Sequence, residues 1–187
     1  VATQSISGER KNKENDLWLT GGLKITPLKD WTINVDYTYN MYILSKKQHG
    51  KEILEHTANP DIVTVFPHTT PSRVKFTTDD NYYQTFNAYT DYTKSLGKHN
   101  IKLLLGYNYE TKSYRWFNAE RENLISNDLP GLGQAYGEKY NGSGQHSWAT
   151  MGYFARINYN YAERYLLELN GRYDGSSKFP KDKRFVF

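Results

Sequence analysis

The stretch that decides the fold is YFARINYNYAERYLLELNGRYDGSSKFPKDKR, residues 153–184. It reads as two strands joined by a tight turn and followed by a loop rich in Gly, Ser and Lys. From Met151 to Tyr161 the odd-numbered residues are apolar or aromatic, and the even-numbered ones are polar apart from Gly152 and Phe154. Because strand side chains alternate between two faces, one wall of this hairpin meets apolar surroundings and the other meets water.

The same alternation recurs along the chain, and helical spacing does not compete with it. The pattern predicts an all-β, antiparallel, up-and-down fold with six strands and the start of a seventh at residues 184–187. The six strands are expected near residues 17–26, 31–44, 82–95, 100–116, 147–161 and 165–174.

The connections between these strands are alternately short and long. Tight turns are predicted at residues 27–30, 96–99 and 162–164, and long outer loops at 45–81, 117–146 and 175–183. A meander with short turns at one end and long loops at the other is typical of an outer-membrane β-barrel. Long loops are uncommon inside compact soluble domains.

Composition narrows the function classes. The chain has no Cys, so a disulfide framework and a thiolate metal site are excluded. The net charge of +4 is scattered among carboxylates, which gives no nucleic-acid footprint. No run approaches the ~20 apolar residues of a membrane-spanning helix. Residues 1–16 are polar and do not resemble a signal peptide, so the N-terminus of an exported protein would be missing.

Aromatic residues recur at a spacing that fits a membrane. Three pairs stand eight residues apart on one strand face: Trp31 and Tyr39, Tyr153 and Tyr161, Tyr165 and Tyr173. Eight residues span roughly 27 Å along a strand. A tilt of about 40° reduces this to roughly 21 Å, close to the ~25 Å band between aromatic girdles. A soluble β-sandwich with Tyr on its inner face is the alternative.

The run NGRYDGSSKFPKDKR, residues 170–184, resembles the barrel of SusC/RagA-type TonB-linked outer-membrane transporters. Residues 21–40 and 97–110 resemble other hairpins of that family more weakly. The resemblance implies a Gram-negative outer-membrane barrel of about 22 strands, plugged by an N-terminal domain. It also implies TonB-driven import of an oligosaccharide or peptide, and a SusD/RagB-like surface lipoprotein as partner. No plug domain is recognised in residues 1–187, so we expect a fragment of the barrel wall, with the contacts to the TonB complex outside it.

Two other interpretations of the sequence remain open. One is a complete small outer-membrane barrel, which the length and the terminal Phe187 would suit. However, residues 179–184 leave only three residues for a closing strand, and a barrel must close to satisfy its edges. The other is a soluble carbohydrate-binding β-domain.

The alternation also predicts which side chains face lipid and which face the lumen. The residues expected to contact outer-membrane lipid are Leu103, Leu105, Tyr153, Ile157, Leu167 and Leu169. The residues expected to face the lumen are Arg156, Asn158, Glu168, Asn170 and Arg172.

Substrate or lid contacts are expected in the second long loop and at its ends, where binding residues concentrate on a rigid scaffold. Flat rings there alternate with hydrogen-bonding groups. The candidate residues are Trp116, Phe117, Arg121, Tyr136, Tyr140 and Trp148. The five His lack metal-ligand spacing, and the strand carboxylates read as a polar wall network. No enzymatic activity, metal or cofactor is predicted.

Overall fold

The computed structural model describes residues 8–56, 58–59 and 61–186. Over these residues it contains nine strands, joined by loops and three short 3-10 turns. The long strands are β1 (Gly8–Leu28), β2 (Trp31–Gly50), β5 (Arg73–Leu96), β6 (His99–Glu122), β7 (Lys139–Tyr161) and β8 (Tyr165–Ser176). The short ones are β3 (Leu54–His56), β4 (Val63–Val65) and β9 (Phe185–Val186). Among the described residues, no helix is long and apolar enough to cross a membrane.

Seven of the described strands form one antiparallel sheet in the order β1-β2-β5-β6-β7-β8-β9. Neighbours in this sheet follow each other along the chain once the separate β3-β4 hairpin is set aside. The sheet is therefore an up-and-down meander, and it does not close on itself. The predicted all-β, antiparallel fold is confirmed.

The predicted turns are present and tight. β5 passes into β6 through Gly97, whose φ of 62° lies in the left-handed region that glycine favours. Ala162 and Glu163 join β7 to β8 with φ of 53° and 59°, the two positive values of a type I′ hairpin turn. The Asn160 side chain supports this turn by accepting from the Glu163 amide at 2.9 Å.

The strands run well past their predicted bounds. β5 begins at Arg73 instead of residue 82, and β2 ends at Gly50 instead of residue 44. The segments between strands consequently shrink from 45–81 to 51–72 and from 117–146 to 123–138. The added segments, such as SKKQHG and GERKNKEND, are polar on both faces, so they lack the alternation on which a sequence prediction depends. A strand with water on both sides has no reason to alternate.

Contacts divide the chain into two compact units. Unit 1 comprises Val1–Asp16, Tyr42–Asp80 and Tyr114–Gln145, and unit 2 comprises Leu17–Met41, Asn81–Ser113 and His146–Phe187. Unit 1 holds the two long connecting segments and a small core of Val74, Leu124 and Ala135. Unit 2 holds the tight turns, most of each strand predicted from the sequence, and β9, which lies where the seventh strand was expected. Phe187 lies outside the described residues.

Candidate binding surface

The β7-β8 register sorts the side chains of unit 2 onto two faces. Ile157 pairs with Leu169 and Tyr159 with Leu167, whereas Arg156 pairs with Asn170 and Asn158 with Glu168. Opposite residues in an antiparallel pair lie on the same face. Three of the predicted lipid-facing residues, Ile157, Leu167 and Leu169, therefore share one face, and four of the predicted lumen-facing residues share the other.

Hydrogen bonds connect the polar face of this hairpin. The Arg156 Nε donates to Asn170 Oδ1 at 2.7 Å, and Asn170 Nδ2 donates to Glu168 Oε1 at 2.7 Å. Phe154, the apolar exception in the pattern, lies over Gly106 of β6, where a Cβ would overlap its ring. Its ring therefore fills a space that the neighbouring strand leaves empty.

The opposite face of unit 2 is apolar and exposed. Leu105, Tyr153, Leu167 and Leu169 each expose more than half of their surface, from 54% to 56%. Leu17, Leu19, Leu23 and Ile25 of β1 are exposed as well. Contiguous apolar surface of this extent marks contact with another apolar phase or partner.

The polar face continues across the middle of the sheet in unit 2. Asn87 Nδ2 of β5 donates to Asp36 Oδ2 of β2 at 2.6 Å, and Asn108 Nδ2 of β6 donates to Asn87 Oδ1 at 2.5 Å. Asp36 thus belongs to a row of hydrogen-bonded side chains that spans three strands.

A second polar chain crosses the same three strands in unit 1. Lys46 Nζ donates to Asp79 Oδ2 at 3.2 Å, and the Tyr114 hydroxyl donates to Asp79 Oδ1 at 3.0 Å. Burial, followed by the hydrogen bond to Asp79, raises the pKa of Tyr114. Tyr114 therefore remains a protonated donor at neutral pH.

Trp116 forms a flat platform on the same strand, two residues beyond Tyr114. A Cβ built on Gly144 would lie 2.6 Å from the indole Nε1, and one on Gly142 would lie 3.2 Å from Cη2. Two glycines at alternate positions of β7 therefore let the indole lie against the backbone. Asn118 Nδ2 borders the same spot, 3.4 Å from the Gly142 position. Trp116 is half-buried, so part of its surface stays accessible.

Phe117 and Arg121 occupy other settings. Phe117 is exposed and follows Trp116 directly in β6, so it lies on the opposite strand face. Arg121 Nη1 donates to the Leu132 carbonyl at 3.1 Å, and its Nε donates to the Gly137 carbonyl at 3.5 Å. Its guanidinium thus ties down the segment between β6 and β7.

The remaining three candidates separate further. Tyr136 projects from the loop and is 72% exposed. Tyr140 lies in β7, where the charge of Glu122, followed by burial, raises its pKa. Trp148 belongs to unit 2, and the ammonium of Lys178 lies 4.7 Å from its ring centroid. Five of the six candidates thus lie on strands, and all except Trp148 belong to unit 1.

Sequence reasoning missed the residues that hold the two long segments of unit 1 together. Ser72 accepts from the Leu124 amide at 3.0 Å through its hydroxyl and from the Asn123 amide at 2.8 Å through its carbonyl. Leu124 then bridges to Ala135 and packs with Val74 in the buried core. Leu124 is 50 or more positions from Ser72 and Val74 in sequence, so no local pattern could reveal this core.

The described residues contain no group of His, Cys, Asp or Glu that could hold a metal ion.

The sequence was compared with known protein families. Residues 3–187 match the family model described as TonB dependent receptor-like, beta-barrel. The chain belongs to this family. The sheet is accordingly a segment of an outer-membrane β-barrel.

Two curated receptors resemble this TonB-dependent receptor segment. It is 31% identical to TonB-dependent receptor P3 of Formosa agariphila over 101 residues, which is 53% of this chain and 10% of that protein. It is 26% identical to TonB-dependent receptor SusC of Bacteroides thetaiotaomicron over 170 residues, which is 83% of this chain and 16% of that protein.

Solved structures show the same fold. The structure of the RagAB peptide transporter superposes with a TM-score of 0.85 and 17% identity, over 99% of this chain and 20% of that one. The RagAB peptide importer in the closed-closed state gives a TM-score of 0.83 with 18% identity, over 96% and 19%. The segment therefore spans a fifth or less of the relatives it matches.

Proposed function

We propose that the transporter containing this segment imports an oligosaccharide or a peptide across the outer membrane, driven by TonB. The observation that carries the proposal is the two-sided sheet of unit 2 within a TonB-dependent receptor fold. Exposed apolar side chains cover one face, and hydrogen-bonded polar chains cover the other. Such a wall separates lipid from an aqueous passage. Energy coupling would run through residues outside this chain.

We infer that the apolar face contacts lipid and the polar face lines the lumen. Leu167 and Glu168 test this because they are adjacent in β8 and lie on opposite faces. Single Cys variants of the full-length transporter, in intact membranes, would be treated with a lipid-restricted label and then with a water-soluble one. We expect the Leu167 position to take the first label and the Glu168 position the second. Equal labelling of the two positions would contradict the facing.

Strand length supports placing unit 1 outside the hydrocarbon layer. A tilted strand crosses a bilayer with about 9–11 residues. β5 and β6 have 24 residues each, so more than half of each lies beyond the bilayer. The extra residues carry both the Lys46–Asp79–Tyr114 chain and the Trp116 platform.

Substrate contact is proposed at the Trp116 platform. An accessible indole stacks on the apolar face of a sugar ring or on a flat side chain, and amide and carboxylate neighbours supply hydrogen bonds. Asn118 lies beside the platform and supplies such an amide. We expect Trp116→Leu to reduce import of the nutrient strongly and Trp116→Phe to reduce it less.

The measurement is depletion of defined oligosaccharide and peptide mixtures by cells that express the full-length transporter. Phe117→Leu is the matched control, because this neighbouring aromatic residue lies on the opposite face of β6. Its import should equal that of the wild type. If Trp116→Leu and Phe117→Leu behave alike, the platform has no role in substrate contact.

A surface lipoprotein of the SusD/RagB type is the proposed partner. Large apolar side chains stand exposed on the segments between the long strands of unit 1, as expected of a surface that a lid covers. These residues are Leu54, Ile62, Phe66, Ile125, Leu129 and Tyr136. Co-purification of the lipoprotein encoded beside the transporter gene would test this. We expect the double variant Ile125→Ser/Tyr136→Ser to weaken co-purification of the lipoprotein and to leave barrel assembly intact. Unchanged co-purification of the double variant would contradict docking at this surface.

A further inference from the structure

A pocket in unit 1 carries more positive charge than its carboxylates offset. The cavity has a volume of about 480 Å³ and lies where β1, β2, β5 and β6 run side by side. Its lining includes three cationic side chains, Arg10, Arg73 and Lys75. Arg10 lies on β1 and the other two on β5, so the strand order of the sheet brings them together.

The carboxylates of the pocket are already occupied. Glu120 Oε2 lies 3.0 Å from Lys75 Nζ, and its Oε1 lies 4.0 Å from Arg73 Nη1. Glu9 pairs with Lys11 at 3.0 Å. The Glu120 carboxylate therefore faces two cations, and its contact with Arg73 is at the outer limit of an ion pair.

The shape of the pocket leaves the guanidinium groups accessible. Gly50 of β2 lies between Arg10 on β1 and Arg73 on β5, and a Cβ there would be 3.3 Å from Arg73 Cγ. The Arg73 side chain is 57% exposed. Arg10 has a neutral partner in Gln48. With the Gln48 amide oriented so that its oxygen faces Arg10, this oxygen accepts a hydrogen bond from Arg10 Nε at 2.7 Å.

His49 lines the same pocket and is 8% exposed. Its Nε2 is buried and has no hydrogen-bond partner among the described residues. Burial, followed by the charges of Lys51 and Lys47, lowers the pKa of His49, so the imidazole is neutral near pH 7. The positive charge of the surroundings therefore comes from permanently charged side chains.

We propose that this pocket binds an anionic substituent of the imported nutrient, a carboxylate or a sulfate ester. This inference rests on the import function proposed above. Guanidinium groups recognise planar or tetrahedral oxyanions through paired charge-assisted hydrogen bonds. Arg10 and Arg73 both line the pocket and supply two such groups. Lys75, held by Glu120, reinforces the positive charge.

The test uses the purified full-length transporter and calorimetric titration with four probes. These are a galacturonate trimer, a sulfated galactose trimer, an unsubstituted galactose trimer and a tri-glutamate peptide. We expect at least one anionic probe to bind more tightly than the neutral sugar. The sugar acids and the peptide distinguish the two sources of the anion. Arg10→Gln and Arg73→Gln should each weaken that binding about tenfold or more.

Arg115→Gln is the matched control. Arg115 is also in unit 1 but does not line the pocket, and its Nη2 lies 2.7 Å from Asp80 Oδ2. It should leave binding unchanged. Each variant is first checked for wild-type assembly by size-exclusion chromatography. Gly50→Ser, which keeps every charge but narrows the space beside Arg73, should weaken anionic probes as well.

Two results would overturn the proposal. One is binding of no anionic probe more tightly than the neutral trimer. The other is anion binding that Arg10→Gln and Arg73→Gln leave intact. Failure of the import function is separate, since it would show as wild-type cells that deplete no nutrient when TonB is present.

Discussion

Placing Arg at Leu169 tests the membrane position of the sheet most directly. Leu169 is the midpoint between Tyr165 and Tyr173 on the apolar face, and it is 56% exposed. The four residues from Tyr165 correspond to roughly 14 Å along the strand. A tilt of about 40° converts this to a depth of roughly 11 Å, close to the midplane of a ~25 Å apolar band.

At that depth Leu169→Arg should destabilise the folded barrel by about 2–4 kcal/mol. Ile157 is its cross-strand partner, so Ile157→Arg should cost a similar amount. Leu167 lies two residues nearer the turn, and Leu167→Arg should cost less because arginine there reaches the interface more easily. The order of the three values follows from the register alone.

The assay is urea-driven unfolding of the full-length transporter refolded into lipid vesicles, with the free energy of unfolding compared between variants. Glu168→Arg is the control, since it introduces the same side chain on the polar face one residue away. Its cost should stay below about 1 kcal/mol, as expected for an exposed site. If Glu168→Arg proves as costly as Leu169→Arg, the two faces are not distinguished by lipid and the reasoning fails.

Three further predictions concern the isolated chain and unit 1. Residues 1–187 alone should aggregate in plain buffer, because β1 and β9 present unpaired edges; a monomeric, cooperative melt would contradict this. Leu124→Ala should open the small core of unit 1, at a cost of about 2–3 kcal/mol, and speed amide exchange at Ser72 and Ala135 in the full-length protein; unchanged exchange would refute the packing. Folding lowers the pKa of His49 from its ordinary value of 6.5. Below pH 6.5 the unfolded state therefore binds more protons than the folded state. Local stability should thus be constant above pH 6.5 and fall as pH drops below it, and His49→Gln should abolish this fall in hydrogen-exchange measurements.

The sequence by itself determined the strands of unit 2 and their facing pattern. Apolar and polar residues alternate there because each strand separates two environments, and such a pattern is local. The tight turns were equally predictable: Gly97 marks a left-handed position, and the short polar segment at 162–164 interrupts the alternation. The family resemblance at residues 170–184 lies within the same hairpin.

Tertiary structure alone decided the rest. The extensions of β1 and β2 carry no alternation, so only pairing with neighbouring strands makes them sheet. The core of Val74, Leu124 and Ala135 joins segments that no short window contains. The pocket joins Arg10 to Glu120 across 110 positions of sequence. Strand register fixes these proximities, and register depends on the whole sheet instead of on any one strand.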